Sequence, residues 1–168
     1  MNNSNHKPSL IVRSYGVFWE RGTVDFGSRG PGNKGSLLGT LGDGKRLVDF
    51  RRQRGIYILY EGSDINLQRV VYIGQAGAQN QRLFGRLRAH TRDHLWNRWS
   101  RFSWLGLLDV DDSGELLDSD ESGVGEIAVP VALNQIEATL ISLLEPLLNR
   151  QGAKWCGARE YFQPPSEA

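Results

Sequence analysis

The feature that most constrains this chain is a pair of short apolar runs separated by a polar turn. The first reads Gly55-Ile56-Tyr57-Ile58-Leu59-Tyr60 and the second Val70-Val71-Tyr72-Ile73-Gly74. Both are rich in β-branched and aromatic side chains and both carry a glycine boundary, so they predict strands and not helix. The stretch between them, Glu61-Gly62-Ser63-Asp64-Ile65-Asn66, has turn chemistry, and a hairpin or meander is the simplest connection. Side chains alternate across a strand, which puts Tyr57 on one face with Gly55 and Leu59. Taken alone, two strand tyrosines read as half-buried packing residues.

The 168 residues suffice for one domain with a real core, and 39% hydrophobic with 23% charged residues fits a soluble globular chain. No stretch is long and apolar enough to span a membrane, and Met1-Asn2-Asn3-Ser4-Asn5-His6 lacks the basic start and apolar core of a signal peptide. The single cysteine, Cys156, excludes a disulfide framework and a four-cysteine zinc site, so a reducing, cytoplasmic setting is expected. The net charge of +1 conceals an asymmetry. Residues 45–101 hold twelve Lys or Arg against four Asp or Glu, whereas residues 109–126 hold eight acidic side chains and no basic one. A basic half of this kind attracts polyanions such as nucleic acid. Within it, Arg51, Arg52, Arg54, Arg82 and Arg88, with Gln75 in the turn after the second run, are the candidate contacts.

Along the chain, residues 1–9 read as a loose terminus and residues 10–163 as one domain, with a loose tail at 164–168. Within the domain, residues 10–50 form an N-terminal extension. Its first part, from Leu10 to Phe26, predicts a hairpin added to the edge of the main sheet, with a turn at Glu20-Arg21-Gly22. Residues 27–44 contain seven glycines in eighteen positions, a density that predicts a mobile loop. A helix is expected from Arg82 to about residues 96–99, with Leu83, Phe84, Leu87 and Leu95 inward and Arg86, His90 and Asp93/His94 on another face. A third strand follows over residues 101–110, then a solvated acidic loop at 109–126. A second helix is expected over 131–144, with Ile136, Leu140, Leu143 and Leu144 inward and Pro146 ending it. Trp155, Tyr161 and Phe162 are expected to pack back onto the domain. Of Trp96, Trp99 and Trp104, at least two are expected in the core.

Two tyrosines, an Arg86/His90 pair one helical turn apart, Glu137 beside an apolar stripe, and Asn149 after Pro146 form an ordered set. Each has work available in phosphodiester hydrolysis. That reaction needs a water aimed at phosphorus, removal of its proton, and stabilisation of the phosphate charge. A carboxylate binds Mg²⁺ or Mn²⁺ through oxygen, arginine forks onto phosphate oxygens, and histidine or tyrosine moves a proton. Singly, each residue has a plainer reading: a solvated helix carboxylate, a surface histidine, a helix-ending asparagine. Zinc is disfavoured, because His90 and His94 lack the HExxH pattern and no further ligand stands ready to complete the site.

Together these residues resemble the GIY-YIG nuclease family. Gly55-Ile56-Tyr57 and Tyr72-Ile73-Gly74 stand intact and in the family's order, followed by Arg86, His90, Glu137 and Asn149. The resemblance covers residues 53–152. It implies an α+β fold with a small three-stranded central sheet flanked by helices, one divalent metal (Mg²⁺ or Mn²⁺), and hydrolysis of DNA. It also implies roles: Tyr57 positions or deprotonates the attacking water, with Tyr72 in the same network. Arg86 stabilises the phosphate, His90 shuttles a proton or orients Tyr57, Glu137 holds the metal, and Asn149 steadies the site. The biological setting stays open among restriction, phage defence, repair and mobile-element processing. The alternatives are a nucleic-acid-binding module that does not cleave and a nuclease subunit activated by a protein partner or by a second copy of the chain. A third reading gives the acidic loop a basic partner, or this chain's own basic groove.

Overall fold

The computed structural model describes residues 11–28, 30–40, 46–62, 64, 68–77, 80–117 and 129–149. The expectations for residues 1–9, for the tail with Trp155, Cys156, Tyr161 and Phe162, and for the acidic loop beyond residue 117 lie outside these.

The two signature runs are strands and are paired: β4 (Gly55–Glu61) lies antiparallel to β5 (Arg69–Ala76), with Tyr57 opposite Gly74 and Leu59 opposite Tyr72. The central sheet is not three-stranded. It has four antiparallel strands in the order β1-β6-β4-β5, where β1 is Ser14–Glu20 and β6 is Arg101–Gly106. The extension does add to the sheet edge as expected, but without a hairpin partner of its own. Residues Arg21–Thr23 form a 3-10 turn, and β1 pairs with β6 instead. Among the described residues two small antiparallel pairs complete the strands: β2 (Leu38–Thr40) with β3 (Leu47–Asp49), and β7 (Asp109–Val110) with β8 (Leu116–Leu117).

One helix packs on each face of the sheet. Helix α1 (Leu83–His90) buries Leu83, Phe84 and Leu87 against Tyr57, Leu59, Phe102 and Trp104. Helix α2 (Val129–Leu144) lays Leu133, Ile136, Leu140 and Ile141 against Ile56, Ile73, Leu105 and Leu107 on the opposite face. These i, i+3, i+7, i+8 positions are the inward stripe; Leu143 and Leu144, expected inside, are exposed. With both faces covered, β4 is apolar almost throughout instead of alternating. Trp99 and Trp104 are in the core and Trp96 is exposed.

Helix α1 is shorter than its periodicity suggests. Thr91 Oγ1 bonds back to the Arg88 carbonyl, and the Asp93 carboxylate accepts from Leu95 N–H, so local side chains compete with the helical ladder beyond His90. The chain then continues as turns through residue 98, with Leu95 still buried. The glycine-rich stretch also departs from expectation. Asp25 Oδ1 accepts from Gly27 N–H and its Oδ2 from the Asn33 amide, while Asn33 Oδ1 accepts from Gly35 N–H. Phe26 stacks on Phe84 of α1, and Leu37 is fully buried. Asx-type hydrogen bonds and one aromatic stack therefore anchor the described part of the loop beside α1. In the acidic segment, Asp111 accepts from Ser113 and Glu115 N–H and closes the turn between β7 and β8.

Two side-chain amides stand in for missing strand neighbours. Gln53, fully buried, accepts from Leu108 N–H and donates to Leu108 C=O (2.9 and 3.0 Å). Asn149 does the same for Ile73, accepting from its N–H and donating to its C=O (2.9 and 2.8 Å), while Leu148 N–H reaches Val71 C=O. The second amide covers the outer edge of β5, whose backbone groups need partners when shielded from water.

Candidate functional site

The glycines of the two tripeptides have steric reasons to be glycine. A Cβ on Gly74 would lie 2.4 Å from the Tyr57 hydroxyl oxygen, because the Tyr57 ring lies across that position from the neighbouring strand. A Cβ on Gly55 would lie 1.8 Å from the Leu105 carbonyl oxygen of β6. The first glycine makes room for the tyrosine and the second lets β4 and β6 close up.

The tyrosines share a face by register, since Tyr57 lies opposite Gly74 and Leu59 opposite Tyr72, and an irregularity of β5 adds Val71 to that face. The β4–β5 register slips by one residue between Leu59 and Tyr60, which leaves Val71 as an extra residue. Val71 consequently joins Tyr72 in the α1-side core, where strict alternation would have turned it to the other face. The Tyr57 and Tyr72 ring centroids are 6.1 Å apart, and both rings pack against His90, at 5.5 and 5.1 Å. Tyr57 is fully buried and Tyr72 half-buried.

From α1, His90 points its Nε2 at the Tyr57 hydroxyl (2.8 Å) and its Nδ1 at Asp93 Oδ2 (2.7 Å). Arg86, one turn earlier, aims its Nε at the same hydroxyl over a longer 3.4 Å. Burial, helped by the Tyr72 phenol, pushes Tyr57 above the ordinary tyrosine range in spite of Arg86. Burial also pushes His90 below the ordinary histidine range, with Arg86 and His94 adding to the effect and Asp93 opposing it. Burial alone would raise Asp93, but Leu95 N–H and His90 outweigh it and hold the carboxyl below its usual range. Burial opposes the Arg86 charge, yet the tyrosine oxygens outweigh it and keep the guanidinium firmly protonated.

Glu137 comes from α2, on the other face. Gln75 of β5 donates to Glu137 Oε2 (2.9 Å) and to Asn134 Oδ1 (2.8 Å). Burial raises the Glu137 carboxyl above its usual range, and Arg86 and Gln75 only partly offset this. Asn149 grips the backbone of Ile73, between Tyr72 and Gly74. Tyr57, Tyr72, Arg86 and His90 are thus gathered in one cluster, the charge of Arg86 reaches Glu137, and Asn149 acts through the strand.

The expected nucleic-acid contacts fare differently. Arg51 is paired with Asp49 and donates to Gly35 C=O (3.1 Å), and Arg88 donates to Ser28 C=O (2.7 Å). Both therefore tether the glycine-rich loop. Gln75 is engaged with Glu137, as above. Arg54 and Arg82 are half-buried and Arg52 is exposed. Sequence reasoning placed Asp93 on a helix stripe and gave it no role. The spacing His90-x-x-Asp93 was its visible signal. Asn134, one turn before Glu137, was missed as well.

A metal would have to be held largely by Glu137, since among the described residues no group of three or more His, Cys, Asp or Glu side chains is placed to share an ion. The donor chemistry fits a hard cation that keeps most of its waters: one half-buried carboxylate whose charge burial disfavours, with the Asn134 amide oxygen held near it by the Gln75 NH₂. Among the described residues, no helix is long and apolar enough to cross a membrane. Fold and site define an α+β protein with a four-stranded antiparallel sheet and a buried Tyr-His-Asp hydrogen-bond chain. No known protein family, curated protein or solved structure matches this chain.

Proposed function

We propose that this chain is a metal-dependent endonuclease of the GIY-YIG kind that hydrolyses DNA phosphodiester bonds, working in the cytoplasm. The observation that carries this reading is convergence: Tyr57, Tyr72, Arg86 and His90 come from three elements into one hydrogen-bonded and stacked cluster, within electrostatic reach of a half-buried Glu137. A Tyr-His pair with an arginine and a carboxylate is the equipment for aiming a water, moving its proton and stabilising a phosphate in flight.

Arg86 is the phosphate-facing charge. It is protonated at any working pH, and in a half-buried site its guanidinium acts more strongly than it would in water. Glu137 would hold Mg²⁺ or Mn²⁺, with the Asn134 amide oxygen as the neighbouring oxygen donor. The ion, when bound, supplies positive charge at the phosphate and at the leaving oxygen. Burial opposes a free phenolate on Tyr57. Tyr57 acts by handing its proton to His90 while taking one from the solvent side, where Tyr72 stands. Asn149 fixes the strand between Tyr72 and Gly74. The exposed Lys34 and the loop that Arg51 and Arg88 tether offer further charge beside α1.

The test is incubation with supercoiled plasmid, linear duplex and single-stranded DNA in Mg²⁺, Mn²⁺ or EDTA, beside Glu137→Ala. Metal-dependent cleavage that falls at least about 10³-fold in the variant is the expected result. Intact DNA of every form under every condition would sink the reading.

A further inference from the structure

The chain of hydrogen bonds through the buried cluster has a direction fixed at both ends. Arg86 Nε–H can only donate, so it can meet the Tyr57 oxygen only as a donor. Asp93 is a carboxylate held below its usual range, so it can only accept, and His90 Nδ1 must carry the proton toward it. His90 Nε2 is then a bare lone pair at 2.8 Å from the Tyr57 oxygen, and the Tyr57 O–H must point at it. Both partners are held: Leu95 N–H holds Asp93 Oδ1 at 2.8 Å, and Trp99 Nε1 donates to the His90 backbone carbonyl at 3.2 Å. Almost none of the His90 side chain reaches solvent, so the ring cannot turn over freely to exchange its nitrogens.

We propose that Asp93 is the positioning residue of this site, holding His90 as the Nδ1–H tautomer so that the His90–Asp93 dyad receives the Tyr57 proton and Tyr57 relays a proton without ever standing as a phenolate. In the hydrolysis proposed above, on which this role rests, the water oxygen bonds to phosphorus as its proton passes to the half-buried Tyr72 hydroxyl, which hands its own proton to the Tyr57 oxygen. The Tyr57 proton passes at the same time to His90 Nε2. The phosphorus–oxygen bond to the leaving strand breaks with its electron pair, and the leaving oxygen takes a proton from solvent. The imidazolium stays paired with Asp93 and afterwards returns its proton along the same path. One water is consumed, and every residue ends as it began. The charged or titratable groups facing the ring are Asp93, Arg86 and His94 from its own segment, Tyr57 from β4 and Tyr72 from β5. Asp93 is the one among them that favours imidazolium.

The test begins without substrate. Ring nitrogen NMR of the ¹⁵N-labelled full chain, with His90 assigned by comparison with His90→Gln, reads the tautomer directly. The expected result at neutral pH is Nδ1–H with an accepting Nε2. In Asp93→Asn the single amide oxygen remains with Leu95 N–H, the NH₂ turns to His90, and the tautomer inverts to Nε2–H. A wild-type ring found as Nε2–H, or one whose tautomer is unmoved in the variant, overturns the proposal. If the variant does not fold, the wild-type tautomer still decides. The second arm is the pH profile of plasmid cleavage. Asp93→Asn should lower kcat roughly 10²- to 10⁴-fold. It should also move the acid limb to lower pH, because the group that favours protonation of His90 is gone. A loss of rate with an unmoved limb is what a merely structural aspartate would give, and it overturns the assignment. A chain that shows the tautomer switch but cuts no nucleic acid keeps the dyad and refutes the nuclease reading, so the two failures are distinguishable.

Discussion

On the α1 face of the sheet, Tyr57, His90 and Asp93 are joined end to end by hydrogen bonds of 2.8 and 2.7 Å. On the α2 face, Glu137 meets the amide of Gln75 and the charge of Arg86. The first half is complete before any ligand arrives; its protonation states are set by partners built into the fold. The second half holds a carboxylate whose charged form burial disfavours. A preorganised network stabilises itself and needs no rearrangement at the moment of reaction. A carboxylate held against its preference is stabilised by whatever cation comes to it, and weakens the fold until then.

Three substitutions would break or sharpen that contrast. The largest effect should come from Gly74→Ala, because the new methyl would occupy the space of the Tyr57 hydroxyl. Tyr57 must shift and the contact to His90 must lengthen, with about 1–3 kcal/mol of lost stability and a loss of cleavage on the order of 10²-fold. Chemical denaturation and single-turnover cleavage measure the two, and an unperturbed enzyme would mean the completed half is not sensitive to position. Asn149→Ala should come next. It removes both bonds to Ile73 and leaves two strand groups to find water, at about 1–3 kcal/mol. Its loss of activity should be smaller than that of Gly74→Ala, since it acts on the strand and not on the hydroxyl.

The smallest effect has the opposite sign. Glu137 has a folded pKa above its unfolded value, so its contribution to stability is present at low pH and is lost as pH rises through the folded value. Glu137→Gln should therefore raise Tm at pH 7 by about 1–3 °C in the absence of metal. At pH 4 the gain should vanish, and Mn²⁺ should raise Tm of the wild type but not of the variant. His90 behaves in the reverse sense: its folded pKa lies below the unfolded value of about 6.5, so the stability it contributes falls away as pH drops below that value. A Glu137→Gln protein less stable than wild type at pH 7 would remove the distinction between the halves.

Much of the α1 half was legible in the chain. The tyrosine runs, the Leu83/Phe84/Leu87 stripe and the spacing of Arg86 and His90 all depend on local periodicity, which a sequence displays directly. What was not legible depended on exceptions to periodicity. The extra residue at Val71 is silent in a run of five apolar positions, yet it puts Val71 on the α1 face beside Tyr72. Asp93 was hidden because the helical pattern was carried past His90, where Thr91 and Asp93 in fact turn the backbone away. The joining of β1 to β6 is a pairing across more than eighty residues, for which no local signal exists. Glycine density in residues 27–44 suggested mobility, while Asp25 and Asn33, the residues that tie the loop together, are short polar side chains common in any turn.

The hold of Asn149 on Ile73 has a consequence apart from catalysis. An outer strand with a free N–H and C=O invites another chain to continue the sheet. Here that invitation is withdrawn by an amide from the same chain, with Leu148 closing the neighbouring carbonyl. The segment after α2 thus guards the molecule against growing into its copies. A variant lacking that amide should be judged by its tendency to self-associate as much as by its rate.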